Sequence, residues 1–338
     1  MSNLTLMKTL QKLTREEILA FAIRENRILF DSQLYVDRTA RECLNKRQVE
    51  IFRQRARLEE SLDNEQLLQN LGCLKFQNHR PYLTFAGVLL FGEDPQVPFP
   101  QATITLLHME DAATILEQKI LKGPLFEQVE NAYSFLKSHL RTRPEIRGLQ
   151  REEVPEFPEP VLRELVVNAV VHRDYFEKAA DITIKILRTQ IEFSNPGRVS
   201  STIPLQSLYG RSFRRNPLIA DFFYRARYIE RAGTGLLRVR EILHKAGLPP
   251  LELAEEGPFF IATLFRPESL TALTDLNERQ NRLFAFSADF FPFNTRDYAR
   301  KFGVSERMAR LDIQDLVKKG MLLVQREGRR IHYQRAHH

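Results

Sequence analysis

Apolar positions change their period several times along the chain, and the changes predict helices alternating with strands. Residues 1–80 read as short helices joined by loops. LTREEILAFAIREN places Ile18, Leu19, Phe21 and Ala22 together, and RQVEIFRQRARLEESLDNEQLLQNLG is a charged amphipathic stretch that suits two helices. Residues 84–92 form a short apolar element. Pro95, Pro98 and Pro100 then break the chain before ATITLLHME, whose β-branched alternation predicts a strand over about 102–109. After Gly123-Pro124, Leu125, Val129, Tyr133, Leu136 and Leu140 recur at helical spacing. Pro155, Pro158 and Pro160 separate that helix from the apolar helix VLRELVVNAVVHRDY, residues 161–175. ADITIKIL and QIEFSN read as adjacent strands ended by Asn195-Pro196-Gly197. A helix from 217 to about 227, with Asn216 as its cap, is followed by a helix over 235–245 and a last strand, PFFIATLF. The order predicts an α/β (α+β) two-layer sandwich with a ligand cleft between sheet and helices.

The tail has a different pattern. Residues 267–278 lack periodicity and mark a linker, which divides the chain into 1–80, 81–266 and 279–338. The last segment predicts a winged helix-turn-helix: a helix around 278–287, TRDYARKFG, the turn GVS, a third helix SERMARLDIQDLVKK capped by Ser305 and stopped by Gly320, and wing strands MLLVQ and IHYQR. In such folds the third helix enters the major groove, so Ser305, Arg307, Arg310 and Gln314 are candidates for DNA contact, with Arg329 and Arg330 reaching phosphate or minor groove from the wing. Charge sharpens this. From Arg279 onward there are 13 Lys/Arg against 6 Asp/Glu, an excess equal to the +7 of the whole chain, so the first 278 residues are balanced. A basic module on a neutral body suggests one dedicated double-stranded DNA-binding unit, and such regulators read paired half-sites as homodimers.

With 43% hydrophobic and 28% charged residues the composition is that of an ordinary globular protein. No apolar run approaches the roughly 18 residues of a membrane span, and MSNLTLMKTLQKLTREE lacks a signal-peptide centre, so a cytoplasmic protein is expected. Cys43 and Cys73 stand apart, without zinc or disulfide spacing.

Chemistry concentrates in 161–175. Glu164, Asn168 and His172 are four residues apart and stack on one helix face amid apolar neighbours. A carboxylate one turn before an amide suits divalent metal and phosphate chemistry: Glu164 would activate a water and the Asn168 oxygen would hold Mg²⁺. The competing reading is a structural hydrogen-bond network. Arg214 and Arg215 are candidate phosphate ligands from a lid-like segment. His172-Arg173-Asp174 imitates a kinase catalytic loop without its other motifs, and no G-x-x-x-x-G-K-[ST] phosphate loop is present.

The polar helix, the Asn195-Pro196-Gly197 turn and Gly233-Thr234-Gly235-Leu236 resemble, in that order, the Bergerat-type ATP-binding fold shared by DNA gyrase, heat-shock chaperones, histidine kinases and MutL. More closely, LRELVVNAVVHRDY, EFSNPGRV, RRNPLIADFFYRARYIERAGTGL and FAGVLLFGEDPQVPFPQA resemble a family of bacterial and archaeal RecG-related ATP-binding or transcriptional regulators, over roughly residues 84–266. The resemblance implies that Glu164 is the water-activating carboxylate and Asn168 the Mg²⁺ amide. It also implies that Asn195 takes the adenine-binding position, that Gly197 makes room for the base, and that Gly233, Thr234 and Gly235 offer backbone N–H groups to phosphates. Two departures stand out: Asn195 replaces an aspartate, and Arg198-Val199 follow Gly197 where a second glycine is expected. Relatives carry a preceding Schlafen/AlbA-type domain with a Gly-Gly segment. This chain has no Gly-Gly and is expected to begin after that domain. The leading expectation is an ATP- and Mg²⁺-gated DNA-binding regulator. The alternatives are a slow Mg²⁺-dependent ATPase in DNA metabolism or phage defence, and a dimeric transcription factor with a degenerate cleft.

Overall fold

The computed structural model describes residues 14, 27–58, 62–111, 113–147, 150–199, 205–210, 214–229, 233–266, 276–284, 291–318, 321–327 and 330–335. The expected helix over 13–26 apart from Thr14, most of the expected linker, Gly320 and Arg329 lie outside these residues.

The architecture is mixed α/β, centred on a six-stranded mixed sheet. Its strands are β3 (Ile104–Met109), β4 (Ile115–Leu121), β7 (Ile182–Ile186), β8 (Gln190–Pro196), β9 (Glu252–Glu256) and β10 (Phe259–Phe265), in the order β4-β3-β7-β8-β10-β9. β3 and β7 run parallel and the other neighbours antiparallel. Alternation fixes the faces: Ile182, Ile184 and Ile186 are buried while Thr183 and Lys185 are half-buried. On that wetter face Lys185 Nζ lies 2.8 Å from Glu192 Oε1, its cross-strand partner.

Helices cover the other face. α5 (Leu125–His139), α6 (Glu159–His172) and α8 (Gly235–Lys245) pack side by side, with α6 in the middle against β8. α6 starts after Pro158 with Pro160 in its first turn, where a missing N–H costs nothing. Eight of its residues are buried, more than one face of a helix supplies. Its C-terminal carbonyls are held by a residue expected to do something else. The Asn216 side chain does not cap α7 (Pro217–Arg225). It donates to Val171 O at 2.9 Å and Arg173 O at 2.8 Å. The α7 N-terminus is capped by Asp31, whose Oδ2 accepts from Leu218 N at 2.7 Å and Ile219 N at 3.2 Å.

Asp31 belongs to a segment fused to the sheet layer through one continuous apolar core. Phe30 meets Phe85, Phe99, Tyr175 and Phe176 with ring centroids 5.0–5.5 Å apart, which pins the chain just beyond α6. The expectation of helices and loops before residue 81 is right for α1 (Ala40–Cys43), α2 (Lys46–Ala56) and α3 (Asn64–Asn70) and needs correction after them. Strands β1 (Leu74–Gln77) and β2 (Arg80–Leu83) form a hairpin whose loop residues Asn78 and His79 both have positive φ, 50° and 60°. That is the primed-turn geometry matching strand twist. The apolar element after it is helix α4 (Phe85–Phe91), with Thr84 Oγ1 accepting from Gly87 N at 3.2 Å. A second hairpin, β5 (Thr142–Arg147) with β6 (Gln150–Pro155), was not expected either.

The C-terminal part contains α9 (Glu278–Phe284), α10 (Thr295–Phe302), α11 (Glu306–Lys318) and the antiparallel pair β11 (Leu322–Glu327) and β12 (Arg330–Arg335). Leu283, Phe293, Tyr298, Ile313 and Leu316 form its own apolar cluster. A buried carboxylate ties its helices: Asp312 accepts from Asn277 Nδ2 at 2.6 Å, Arg279 Nε at 2.9 Å and the Tyr298 hydroxyl at 3.1 Å.

Candidate functional site

α6 brings Glu164, Asn168 and His172 to the wall of one cleft, together with Asn195, Gly197, Arg214, Arg215, Gly233 and Gly235. Thr234 stands between two lining glycines without lining it. Asn168 Nδ2 donates to Glu164 Oε1 at 3.1 Å. This orients the amide, because the reversed rotamer would set a carbonyl against a carboxylate, and it leaves Oδ1 as the end available to a cation. Glu164 and Asn168 are hard oxygen donors that fit Mg²⁺ alongside ligand phosphates. Among the described residues no cluster of three or more His, Cys, Asp or Glu could hold a metal by itself.

The carboxylate also touches the glycine turn. A Cβ at Gly235 would lie 1.8 Å from Glu164 Oε1, so the first residue of α8 is small because the carboxylate occupies that space. Gly233 has φ 65°, and Thr234, the N-cap, makes no side-chain cap. Glu164 therefore places negative charge at the positive end of α8, where the resemblance puts phosphates.

At the other end of the cleft, Asn195 sits on β8 opposite Phe260, on the helix-facing side. It is 4% exposed, and its Oδ1 has no hydrogen-bond partner among the described residues. An unsatisfied buried acceptor costs about 1–3 kcal/mol, so a ligand donor would be welcome there. Gly197 has φ 117°, and a Cβ on it would come within 2.1 Å of Arg215 Nη1 and 2.8 Å of Asp174 Cβ. The room expected for a base is thus taken by a guanidinium. Arg215 donates to His172 O at 3.0 Å and to Arg198 O. Burial lowers its pKa, while Asp174 and Glu255 act to raise it. Arg214 is exposed at the rim.

Sequence reading missed the apolar lining, Leu208, Tyr224, Ile229, Leu236 and Phe260, since nothing in their spacing separates them from core. It also missed a second cavity that shares Glu164, Tyr224, Ile229 and Gly235 with the first and adds Arg163, Arg225, Arg227 and Arg238. These arginines come from α6, α7 and α8 and the turn after α7, so only the fold gathers them. The two cavities follow α6 in series, from Asn195 and His172 past Glu164 to Pro160.

On α11, Arg307, Arg310 and Gln314 are exposed, along with Met308 and Leu311. Ser305 Oγ accepts from Met308 N at 3.3 Å and caps the helix as expected. Arg310 and Arg296 both approach Glu306, at 3.6 Å and 3.2 Å. Arg330 begins β12, and its side chain lies outside the described atoms.

Residues 179–264 match the family described as putative ATP-dependent DNA helicase recG C-terminal. The matched segment runs from β7 through β10 and includes Asn195, Gly197 and the glycine turn, while Glu164 and Asn168 precede it. Residues 21–104 match a domain of unknown function, DUF8451. No curated protein matches the chain. Among solved structures it is similar to the DIP2311 protein from Corynebacterium diphtheriae, with 19% identity and a TM-score of 0.61 over 96% of this chain and 68% of that one, a likeness of fold. Among the described residues no helix is long and apolar enough to cross a membrane. The sheet half of the cleft thus carries an ATPase-like, RecG-related signature, which points to nucleotide binding.

Proposed function

We propose that the chain is a nucleotide-gated DNA-binding regulator, in which residues 81–266 form a Bergerat-type ATP-binding domain joined through 267–278 to a winged helix at 279–338. The observation that carries the nucleotide reading is Asn195 Oδ1, a buried acceptor on the cleft wall without a partner among the described residues, suited to the amino group of adenine. From there a ligand laid along α6 meets Asn168, then Glu164 and the α8 N-terminus, then the arginine cavity, so polarity rises toward the phosphate end. Mg²⁺, when bound, would neutralise phosphate charge beside Glu164. Asn168 orients that carboxylate, which is also the base for a slow hydrolysis if one occurs.

The DNA reading is supported by the order of three helices and a hairpin, the exposed arginines of α11 and the basic excess beyond Arg279. The test is DNA affinity of the full chain without nucleotide and with ATP, ADP or a non-hydrolysable analogue, with phosphate release measured against Glu164→Ala. Affinity that differs between nucleotide states supports gating, and equal affinity in all states overturns it. A second reading, a degenerate cleft used as a scaffold, is favoured by one observation, the Arg215 guanidinium filling the space beside Gly197. It predicts no nucleotide binding at all.

A further inference from the structure

The two edges of the six-stranded sheet differ in kind. β9 closes one edge with Glu252, Glu255 and Glu256, charges that discourage strand addition. β4 closes the other with Ile115, Leu116 and Ile120 exposed at 49%, 57% and 52%. It is seven residues long and is started by a tight turn in which Asp111 Oδ1 accepts from Ala113 N and Thr114 N, both at 2.8 Å. Its pairing with β3 is irregular only at its start and regular from Glu117 to Leu121. A row of outward N–H and C=O groups flanked by apolar side chains is a template for another strand.

The sequence of β4 indicates which strand. Read from either end about Gln118, Leu116-Glu117-Gln118-Lys119-Ile120 gives apolar, charged, polar, charged, apolar, with the two charges of opposite sign. We propose that β4 pairs antiparallel with β4 of a second copy of this chain, about a two-fold axis at Gln118, joining two sheets edge to edge. In that register Ile120 meets Leu116 of the partner subunit, the exposed residue that the β3 ladder skips between Ile115 and Glu117, so this apolar contact sits at the bulge. Glu117 faces Lys119 of the partner subunit on the helix side, where Glu117 Oε2 already lies 2.9 Å from His139 Nε2. Each contact occurs twice, as an isologous interface requires. A one-residue slip would set Lys119 against Gln118 of the partner subunit and Ile120 against Glu117 of the partner subunit, so the register is specified. The interface involves neither the cleft nor the C-terminal helices and is independent of the nucleotide reading.

The experiment is sedimentation velocity on the full chain across a wide concentration range, with thermal melts confirming that each variant folds. Wild type is expected to dimerise. Lys119→Glu sets two like-charged pairs across the axis and should weaken the dimer about tenfold or more, as should Glu117→Lys. The double swap Glu117→Lys/Lys119→Glu restores opposite charges and should recover wild-type association, whereas Ile120→Asp should be monomeric. Three results would overturn the proposal: a monomeric wild type, a dimer indifferent to Lys119→Glu and Ile120→Asp, or a double swap no better than either single change.

Discussion

The Glu164 carboxylate rests on the backbone of Gly235, so close that a methyl group at position 235 would meet Oε1 at 1.8 Å. This contact joins the polar face of α6 to the N-terminus of α8 and sets the waist between the two cavities. The obstructing atom is the end of a flexible side chain, so Gly235→Ala should push the carboxylate aside with a stability change of about 1 kcal/mol or less. The Asn168 to Glu164 hydrogen bond would be lost with it, and nucleotide affinity should fall about tenfold. Calorimetric titration beside a thermal melt separates the two effects.

Asp31 is buried while capping α7, and burial raises its carboxyl pKa against the lowering influence of the Ile219 and Leu218 N–H groups. A raised folded-state value means that the contribution of this group to stability is fully present below its unfolded pKa. It is lost as pH rises through the folded one. Asp31→Asn keeps a carbonyl acceptor for the cap and removes the titration. Urea midpoints followed upward in pH from the ordinary carboxylate range should decline less in the variant than in wild type.

Asp312 holds Asn277, Arg279 and Tyr298 together, and burial, followed by the charge of Asp312, raises the Tyr298 hydroxyl pKa. Asp312→Ala should destabilise the C-terminal helices by about 2–4 kcal/mol, since Arg279 and the tyrosine lose a buried acceptor. Limited proteolysis should then cut first within 276–335, with nucleotide binding unaltered.

Arg307 projects from the exposed face of α11 just after the Ser305 cap. If α11 is the DNA-reading helix, Arg307→Ala should cost about 1–3 kcal/mol of DNA affinity, and the loss should depend on base sequence if it touches base edges. Binding isotherms on the preferred site and on a scrambled duplex distinguish the two kinds of contact.

The elements around the cleft were legible because each carries a clear period. Ile182, Ile184 and Ile186 alternate, the apolar spacing of 161–172 is helical, and Gly233 and Gly235 punctuate the start of α8. β4 was not legible because as an exposed edge strand it has no face whose burial would impose alternation. β9 carries three glutamates, which depress a strand reading, and the β1–β2 turn uses Asn78-His79 where Asn-Gly is the familiar signal. At the site, helical spacing put Glu164 and Asn168 on one face, and the resemblance singled out Asn195. Both were silent about contacts between distant segments: Asp31 on α7, Asn216 on the end of α6, and Arg215 in the space beside Gly197. Asn216 precedes Pro217 as a cap should, and its side chain is claimed by the carbonyls of Val171 and Arg173.

Binding of an adenine nucleotide in the α6 cleft, as proposed, is measured by calorimetric titration of Mg²⁺ with ATP, ADP and a non-hydrolysable analogue on wild type, Asn168→Ala and Asn195→Leu. Saturable binding to wild type is expected, weakened about tenfold or more in each variant as one ligand contact or metal contact is removed. No binding heat and no thermal shift in wild type with any of the three nucleotides would contradict it.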